Sequence, residues 1–242
     1  MATWGSSLRL PETVRQRVFA TGTQTAAALA AAVAQSLKDG LQRRGLASLV
    51  VSGGRTPVPF LDQLSLQELD WSGVTVSLAD DRWVPVNHAD SNEGLVRRHL
   101  LQGPAATARL LPLVDLTAAP EMQLATAERA LATAPRPFDV VVLGMGEDGH
   151  TASLFPGAPG TAAALDLRRP ELVALVAPIK APHRRVSLTL RALLDTRAVV
   201  ILIQGEDKRA AIEQAGRSDP AHHPIAAFLR QREVPVHVYY NL

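Results

Sequence analysis

The chain has 242 residues, 47% of them hydrophobic, with 25 basic and 23 acidic side chains and a formal net charge of +2. That is enough apolar material for one large α/β core and too little net charge for a dedicated nucleic-acid binder, since the arginine pairs Arg43-Arg44, Arg97-Arg98, Arg168-Arg169 and Arg184-Arg185 are dispersed and read as solvated faces. The absence of cysteine excludes disulfides, thiolate chemistry and zinc–sulfur sites; with no leader pattern and no apolar run long enough to span a bilayer, the expectation is a cytoplasmic protein that does not bind membranes.

Residues 1–12 read as a loose lead-in, and Arg17 to Ala20 as a short first strand. Thr21-Gly22-Thr23 offers a helix start, and the alanine-rich run from Gln24 to Arg44 is a strong helix closed by Gly45. Leu49-Val50-Val51 is the next strand. It ends in Ser52-Gly53-Gly54-Arg55-Thr56-Pro57, with Pro57 suited to the first turn of a following helix. A strand, a glycine loop and a helix N-terminus form an anion cradle as readily as a plain tight turn. The G-K-[ST] end of a Walker loop is missing.

Val74 to Leu78 is a third strand, opened by Trp71-Ser72-Gly73. It leads into a polar stretch, Asp80-Asp81-Arg82, read as loop, and then to a helix from Glu93 to Leu101 capped by Ser91 or Asn92. Arg109 to Val114 is a short strand and Glu121 to Ala134 a helix. Val140 to Leu143 is β-branched and apolar throughout, as in strands buried on both faces of a parallel sheet. It breaks into Gly144-Met145-Gly146-Glu147-Asp148-Gly149-His150. The three glycines match the dinucleotide fingerprint G-x-G-x-x-G, with Asp166 downstream, but Pro156, Gly157, Pro159 and Gly160 break up the helix that such a site needs at its phosphate end. Asp148 beside His150 is instead a candidate acid/base pair.

Leu172 to Ala177 and Val186 to Leu188 are further strand candidates, and Ala192 to Leu194 closes a short helix. Ala198 to Ile203 is a buried strand that runs through Gln204-Gly205-Glu206-Asp207-Lys208 into a helix from Arg209 to Ala215, with Lys208 in its first turn. A cation there is unfavourable to the helix dipole unless an anion binds beside it. His222-His223 precede a short helix from Ile225, and Val234 to Tyr240 alternates as a last strand. Adjacent histidines face opposite ways in extended chain, and Asp148, His150 and His88 lack ligand spacing, so no metal site is expected.

Helices alternating with β-branched strands define the fold class: a single α/β domain over residues 1–242, Rossmann-like, with a mostly parallel sheet and helices on both faces. In such a sheet the carboxyl ends of the strands share one edge. The loops at Ser52–Thr56, Asp80–Arg82, Asp148–His150 and Gly205–Lys208 should therefore meet. That places a glycine cradle, an arginine and a lysine beside one Asp-His pair, suited to general acid/base action on a small phosphorylated molecule.

The pieces SGGRTP at 52–57, ADDRWVP at 79–85 with DSN at 90–92, GMGEDGHTASLFPG at 144–157, RRVSLTL at 184–190 and QGEDK at 204–208 resemble the glucosamine-6-phosphate isomerase/6-phosphogluconolactonase family. Ser153-Leu154-Phe155-Pro156-Gly157 stands where the amino-sugar branch continues with an Asn-Glu-Pro-Gly type of segment, which favours the lactonase branch. Asp80-Asp81-Arg82 replaces the usual Asp-Glu-Arg, and the ending Tyr239-Tyr240-Asn241-Leu242 departs from the family's Trp-x-x-Asp type, so no role is carried to it. The resemblance implies hydrolysis of a sugar-phosphate lactone, 6-phospho-D-glucono-1,5-lactone, in the pentose phosphate pathway, with no metal or organic cofactor. It further implies His150 as acid/base, Asp148 as its neighbour, and Arg82 and Arg185 near the substrate; Ser52, Gly53, Gly54 and Lys208 are assigned with Arg185 to the phosphate end. The alternatives are an amino-sugar phosphate isomerase/deaminase and a non-catalytic sugar-phosphate sensor of the same fold.

Overall fold

The computed structural model describes residues 7–118 and 122–242. A seven-stranded sheet is parallel throughout. Its strands are β1 (Val14–Phe19), β2 (Ala47–Val51), β3 (Val74–Leu78), β5 (Arg109–Leu111), β6 (Val140–Leu143), β9 (Val199–Gln204) and β10 (Val236–Asn241), in the order β1-β10-β9-β6-β2-β3-β5. The helices are α1 (Gly22–Arg44), α2 (Val58–Ser65), α3 (Asn92–His99), α4 (Gln123–Leu131), α5 (Thr161–Leu165), α6 (Leu190–Leu194), α7 (Glu206–Ala215) and α8 (Ala226–Arg230). Right-handed crossovers put α1, which links β1 to β2, together with α2 and α3, which lead outward from β2 to β3 and β5, on one face and the later helices on the other. Consistent with this, α1 packs on α2 and α2 on α3.

Most of the expected elements stand. α1 starts at Thr21, whose hydroxyl accepts from the N–H of Gln24, and ends at Gly45 in the left-handed region. β3 and β6 have the expected bounds and are buried along their whole length. One hydrophobic cluster runs from Leu8 to Tyr240 through both halves of the sheet. The first strand lies earlier than expected because Val14, paired with Val236, is its buried residue. The helix expected from Glu121 begins at Gln123, and Glu121 lies outside the described residues.

The main correction is a second sheet. β4 (Asp80–Arg82), β7 (Val173–Val176) and β8 (Arg185–Leu188) form a separate antiparallel sheet in the order β4-β8-β7. Asp80-Asp81-Arg82 is thus strand rather than loop: β8 pairs with it, and Asp80 and Asp81 are both buried. The 172–177 and 186–188 segments do not join the parallel sheet.

The strand order also fixes where a ligand can sit. From β2 the chain runs outward through β3 to β5, and from β6 it runs the other way through β9 to β10. The crevice at the carboxyl ends of β2 and β6 is therefore the topological switch point, where open α/β sheets bind ligands. At the opposite, amino ends of the same two strands Asp139, just before β6, ties them together: its buried carboxylate accepts from the Ser48 N–H at 2.9 Å and from Arg44 of α1 at 2.6 Å.

Candidate functional site

A cleft of about 360 Å³ opens at the switch point. It is lined by the Ser52–Pro57 loop after β2, by Gly144–Glu147 and His150 after β6, by Arg82 and Arg185 from the small sheet, and by Lys208 from α7. The four loops expected to converge do so. Seven of the eight candidate residues line the cleft; Asp148 does not, and reaches it through His150.

The turn after β6 closes on itself. Gly146 N–H donates to the carbonyl of His150 at 2.8 Å, Gly149 N–H to that of Gly146 at 3.1 Å, and the Thr151 hydroxyl to that of Gly144 at 2.8 Å. Within it Asp148 Oδ1 lies 2.6 Å from His150 Nδ1 and accepts the His150 backbone N–H at 3.1 Å. Partial burial opposes ionisation of Asp148, but the His150 charge and these hydrogen bonds outweigh it and hold the carboxyl below its usual range. An ionised carboxylate only accepts, so Nδ1 carries the proton, and Nε2 offers a lone pair when the imidazole is neutral. Phe155 stacks on the imidazole, with ring centroids 4.2 Å apart and planes at 29°. Gly146 leaves room for the pair: a Cβ there would lie 2.1 Å from His150 Nδ1.

Two guanidiniums face this turn from the small sheet. Arg82 and Arg185 are register partners across β4 and β8. Arg82 donates to the Asp90 carbonyl at 2.6 Å and Arg185 to that of Pro182 at 3.2 Å, yet each keeps a buried Nε with no partner among the described residues. Burial, and then the charge of Arg82, pull the Arg185 pKa down, while Asp80, Asp90 and Asp81 pull it up. Adjacent cations, one buried and one half-buried, with unused donors are suited to an anion.

Behind them lies a polar network that sequence reasoning missed. Asp80 lines the cleft and accepts from the Ser153 hydroxyl at 2.5 Å, while the Asn92 amide donates to its carbonyl at 2.9 Å. Asp81 accepts backbone N–H groups from Arg82, Asn92 and Glu93, capping α3 from outside; burial still pushes its pKa up to about 6. The available signal was three consecutive charged residues at the end of an apolar strand.

At the other wall the Ser52 hydroxyl is buried and finds no partner among the described residues. Gly53 is assigned above to ligand approach; the structure adds a packing reason, since a Cβ there would lie 1.8 Å from Asn92 Oδ1. Gly54 has φ +96°, in the region that favours glycine. Lys208 lies in the first turn of α7, which begins at Glu206 rather than Arg209, and its Nζ is 3.7 Å from Glu147. Glu206 and Asp207 complement the helix dipole there, so less of the penalty on Lys208 remains than the sequence suggests. Arg55 and Phe155 also line the cleft and were not among the candidates.

The sequence pattern that defines the glucosamine-6-phosphate isomerases/6-phosphogluconolactonase matches residues 20–237. A 6-phosphogluconolactonase of Pseudomonas aeruginosa is 46% identical over 226 residues, covering 93% of this chain and 95% of that protein. One of Neisseria meningitidis is 43% identical, covering 92% of this chain and 96% of its own length. The crystal structure of a 6-phosphogluconolactonase from Shewanella baltica superposes with a TM-score of 0.93 at 40% identity, covering 96% of this chain and all of that one. A monomeric glucosamine-6-phosphate deaminase shares the fold, with a TM-score of 0.74 at 16% identity.

Proposed function

This chain belongs to the glucosamine-6-phosphate isomerase/6-phosphogluconolactonase family and is an enzyme of its lactonase branch; we propose that it uses His150 as general base and acid to open its substrate with water. The reaction converts 6-phospho-D-glucono-1,5-lactone to 6-phospho-D-gluconate, a step of the pentose phosphate pathway. The observation that carries the mechanism is the 2.6 Å contact between Asp148 and His150 Nδ1 in a turn at the switch point.

A lactone is already an activated ester, so water suffices as nucleophile. As water attacks the ring carbonyl, its proton passes to His150 Nε2. Asp148 orients the ring and stabilises the imidazolium that forms. The carbonyl oxygen takes up the negative charge, which Arg82 or the loop N–H groups hold; one well-placed donor contributes roughly 2.7–4 kcal/mol. Collapse of the tetrahedral intermediate breaks the bond to the ring oxygen, which takes the proton back from Nε2. Ser52, Gly53, Gly54, Arg185 and Lys208 bind the phosphate. These steps call for neither a metal nor an organic cofactor. Acting on a small sugar phosphate rather than on nucleic acid agrees with the small net charge, and a cytoplasmic location with the absence, among the described residues, of any helix long and apolar enough to cross a membrane.

The amino-sugar deaminase reading is disfavoured by the Ser153–Gly157 segment, and the deaminase likeness carries fold alone. A non-catalytic sensor would have no use for the Asp148–His150 contact. The test is lactone hydrolysis followed by proton release, with the spontaneous rate subtracted. His150→Ala is expected to fold with an unchanged thermal midpoint and lose about 10²–10⁴-fold in turnover, and His150→Asn to do no better. Near-native hydrolysis by a stably folded His150→Ala protein would remove His150 from the mechanism.

A further inference from the structure

The pairing of β4 with β8 has an effect outside the cleft. The strands are antiparallel, so the chain leaving β4 after Arg82 and the chain entering β8 before Arg185 lie at the same end of the ladder. The first carries a tight turn from Pro85 to Ser91, closed by the His88 N–H on the Pro85 carbonyl at 2.9 Å and the Ser91 N–H on the His88 carbonyl at 3.0 Å. The second carries His183. His88, Asp90 and His183 are thereby brought together, with one ligand-capable atom of each within 4.8 Å of the others. His183 Nε2 is 3.2 Å from Asp90 Oδ2, His88 Nδ1 is 3.9 Å from the same oxygen, and the two rings meet edge to face at 5.3 Å.

We propose that His88, Asp90 and His183 form a binding site for a divalent transition-metal cation of the Zn²⁺ class. Two imidazoles and one carboxylate are a ligand set for Zn²⁺ or Co²⁺, with water completing the shell. Metal–ligand bonds of about 2.0–2.2 Å in a tetrahedron put neighbouring ligand atoms roughly 3.3 Å apart. The His183–Asp90 distance already matches, and His88 must close by less than 1 Å on that oxygen. His88 Nδ1 accepts the Asp90 N–H at 3.0 Å and would exchange that donor for the metal, leaving the amide to solvent at this half-exposed turn. Arg82 grips the Asp90 carbonyl at 2.6 Å and so holds the backbone of the turn in place. His183 has φ +67°, a left-handed conformation uncommon for a residue with a side chain, and it is this conformation that carries the residue facing Asp90. A simple ion pair with Asp90 would need only one of the two histidines. Neighbouring Arg82 and Arg185 oppose a cation, so affinity in the micromolar range is expected rather than tighter binding.

The test uses the full chain without a histidine tag, titrated with Zn²⁺ by calorimetry and with Co²⁺ by visible absorption. One equivalent should bind, with the ligand-field bands of a four- or five-coordinate Co²⁺ site. His88→Ala and His183→Asn should each weaken binding at least about tenfold, with thermal midpoints unchanged; asparagine is chosen because it tolerates left-handed φ. Asp90→Asn should do the same, and His150→Ala should bind as the unaltered protein does, separating this site from the cleft. Absence of saturable one-to-one binding, or binding that survives in both His88→Ala and His183→Asn, overturns the proposal.

Discussion

Gly146→Ala is the sharpest perturbation that the site allows. Gly146 is not in the left-handed region, so alanine meets no backbone strain there. Its Cβ, however, would lie 2.1 Å from His150 Nδ1 and 2.7 Å from Asp148 Oδ1. Carbon and nitrogen pack at roughly 3.5 Å, so the imidazole must move by more than about 1 Å, and the 2.6 Å contact with Asp148 cannot survive that move. A displacement of about 1 Å at a catalytic group costs on the order of 10²-fold, or about 2.7 kcal/mol of transition-state stabilisation. Stability should change little: one hydrogen bond of about 1 kcal/mol is lost, while the unfolded chain loses entropy worth about 0.4–1 kcal/mol in the opposite sense. The assay is kcat/KM for the phosphorylated lactone together with a thermal melt. If the loss acts through His150, the double variant with His150→Ala should be no worse than His150→Ala alone. Activity within about threefold of the parent, or a penalty that adds fully in the double variant, would refute the reasoning.

Lys208→Ala should raise KM for the phosphorylated lactone about tenfold or more, since a charge-assisted bond to phosphate contributes roughly 1.5–3 kcal/mol, and leave the slow hydrolysis of unphosphorylated gluconolactone unchanged; equal losses on both substrates would move Lys208 away from the phosphate. Asp81 gives a pH dependence of stability. Its folded pKa of about 6 stands above the unfolded value of 3.8, so the folded state binds the proton more tightly, and this stabilisation is complete below the unfolded value and lost as pH rises through about 6. Denaturant unfolding of the parent and of Asp81→Asn should therefore show the parent's relative stability falling between about pH 4 and 7, by at most about 3 kcal/mol. A relative stability that rises with pH would mean that the three backbone N–H groups outweigh burial.

What the sequence discloses and what it conceals follow from contact range. α1, with its Thr21 cap and Gly45 stop, and the buried runs of β3 and β6 are written in local pattern, and Asp148 meets His150 because two residues in a tight turn have little choice. The convergence of four loops was legible because parallel strands share an edge. The small sheet was not. Asp80-Asp81-Arg82 has the composition of a loop, and only β8, about a hundred residues on, makes it a strand. For the same reason the Asp80–Ser153–Asn92 network and the meeting of His88 and Asp90 with His183 had no local signature, each being closed by a contact between segments remote in the chain. Asp80 in particular carries no local sign of its place in the cleft, although it lines it as Arg82 does.

Among the described residues β1 has one neighbour in the sheet, β10, matched residue for residue from Val14 with Val236 to Phe19 with Asn241. All the other strands lie between β1 and β10 in the chain, so on a ribosome β1 is made long before its partner exists. An edge strand left unpaired that long invites pairing with other nascent chains. Arg15 and Arg17, the outward residues of β1, counter this by placing two charges on the waiting edge. When β10 arrives, Arg17 settles over the Tyr239 ring at 5.8 Å, so the group that guarded the strand during synthesis becomes part of its closure.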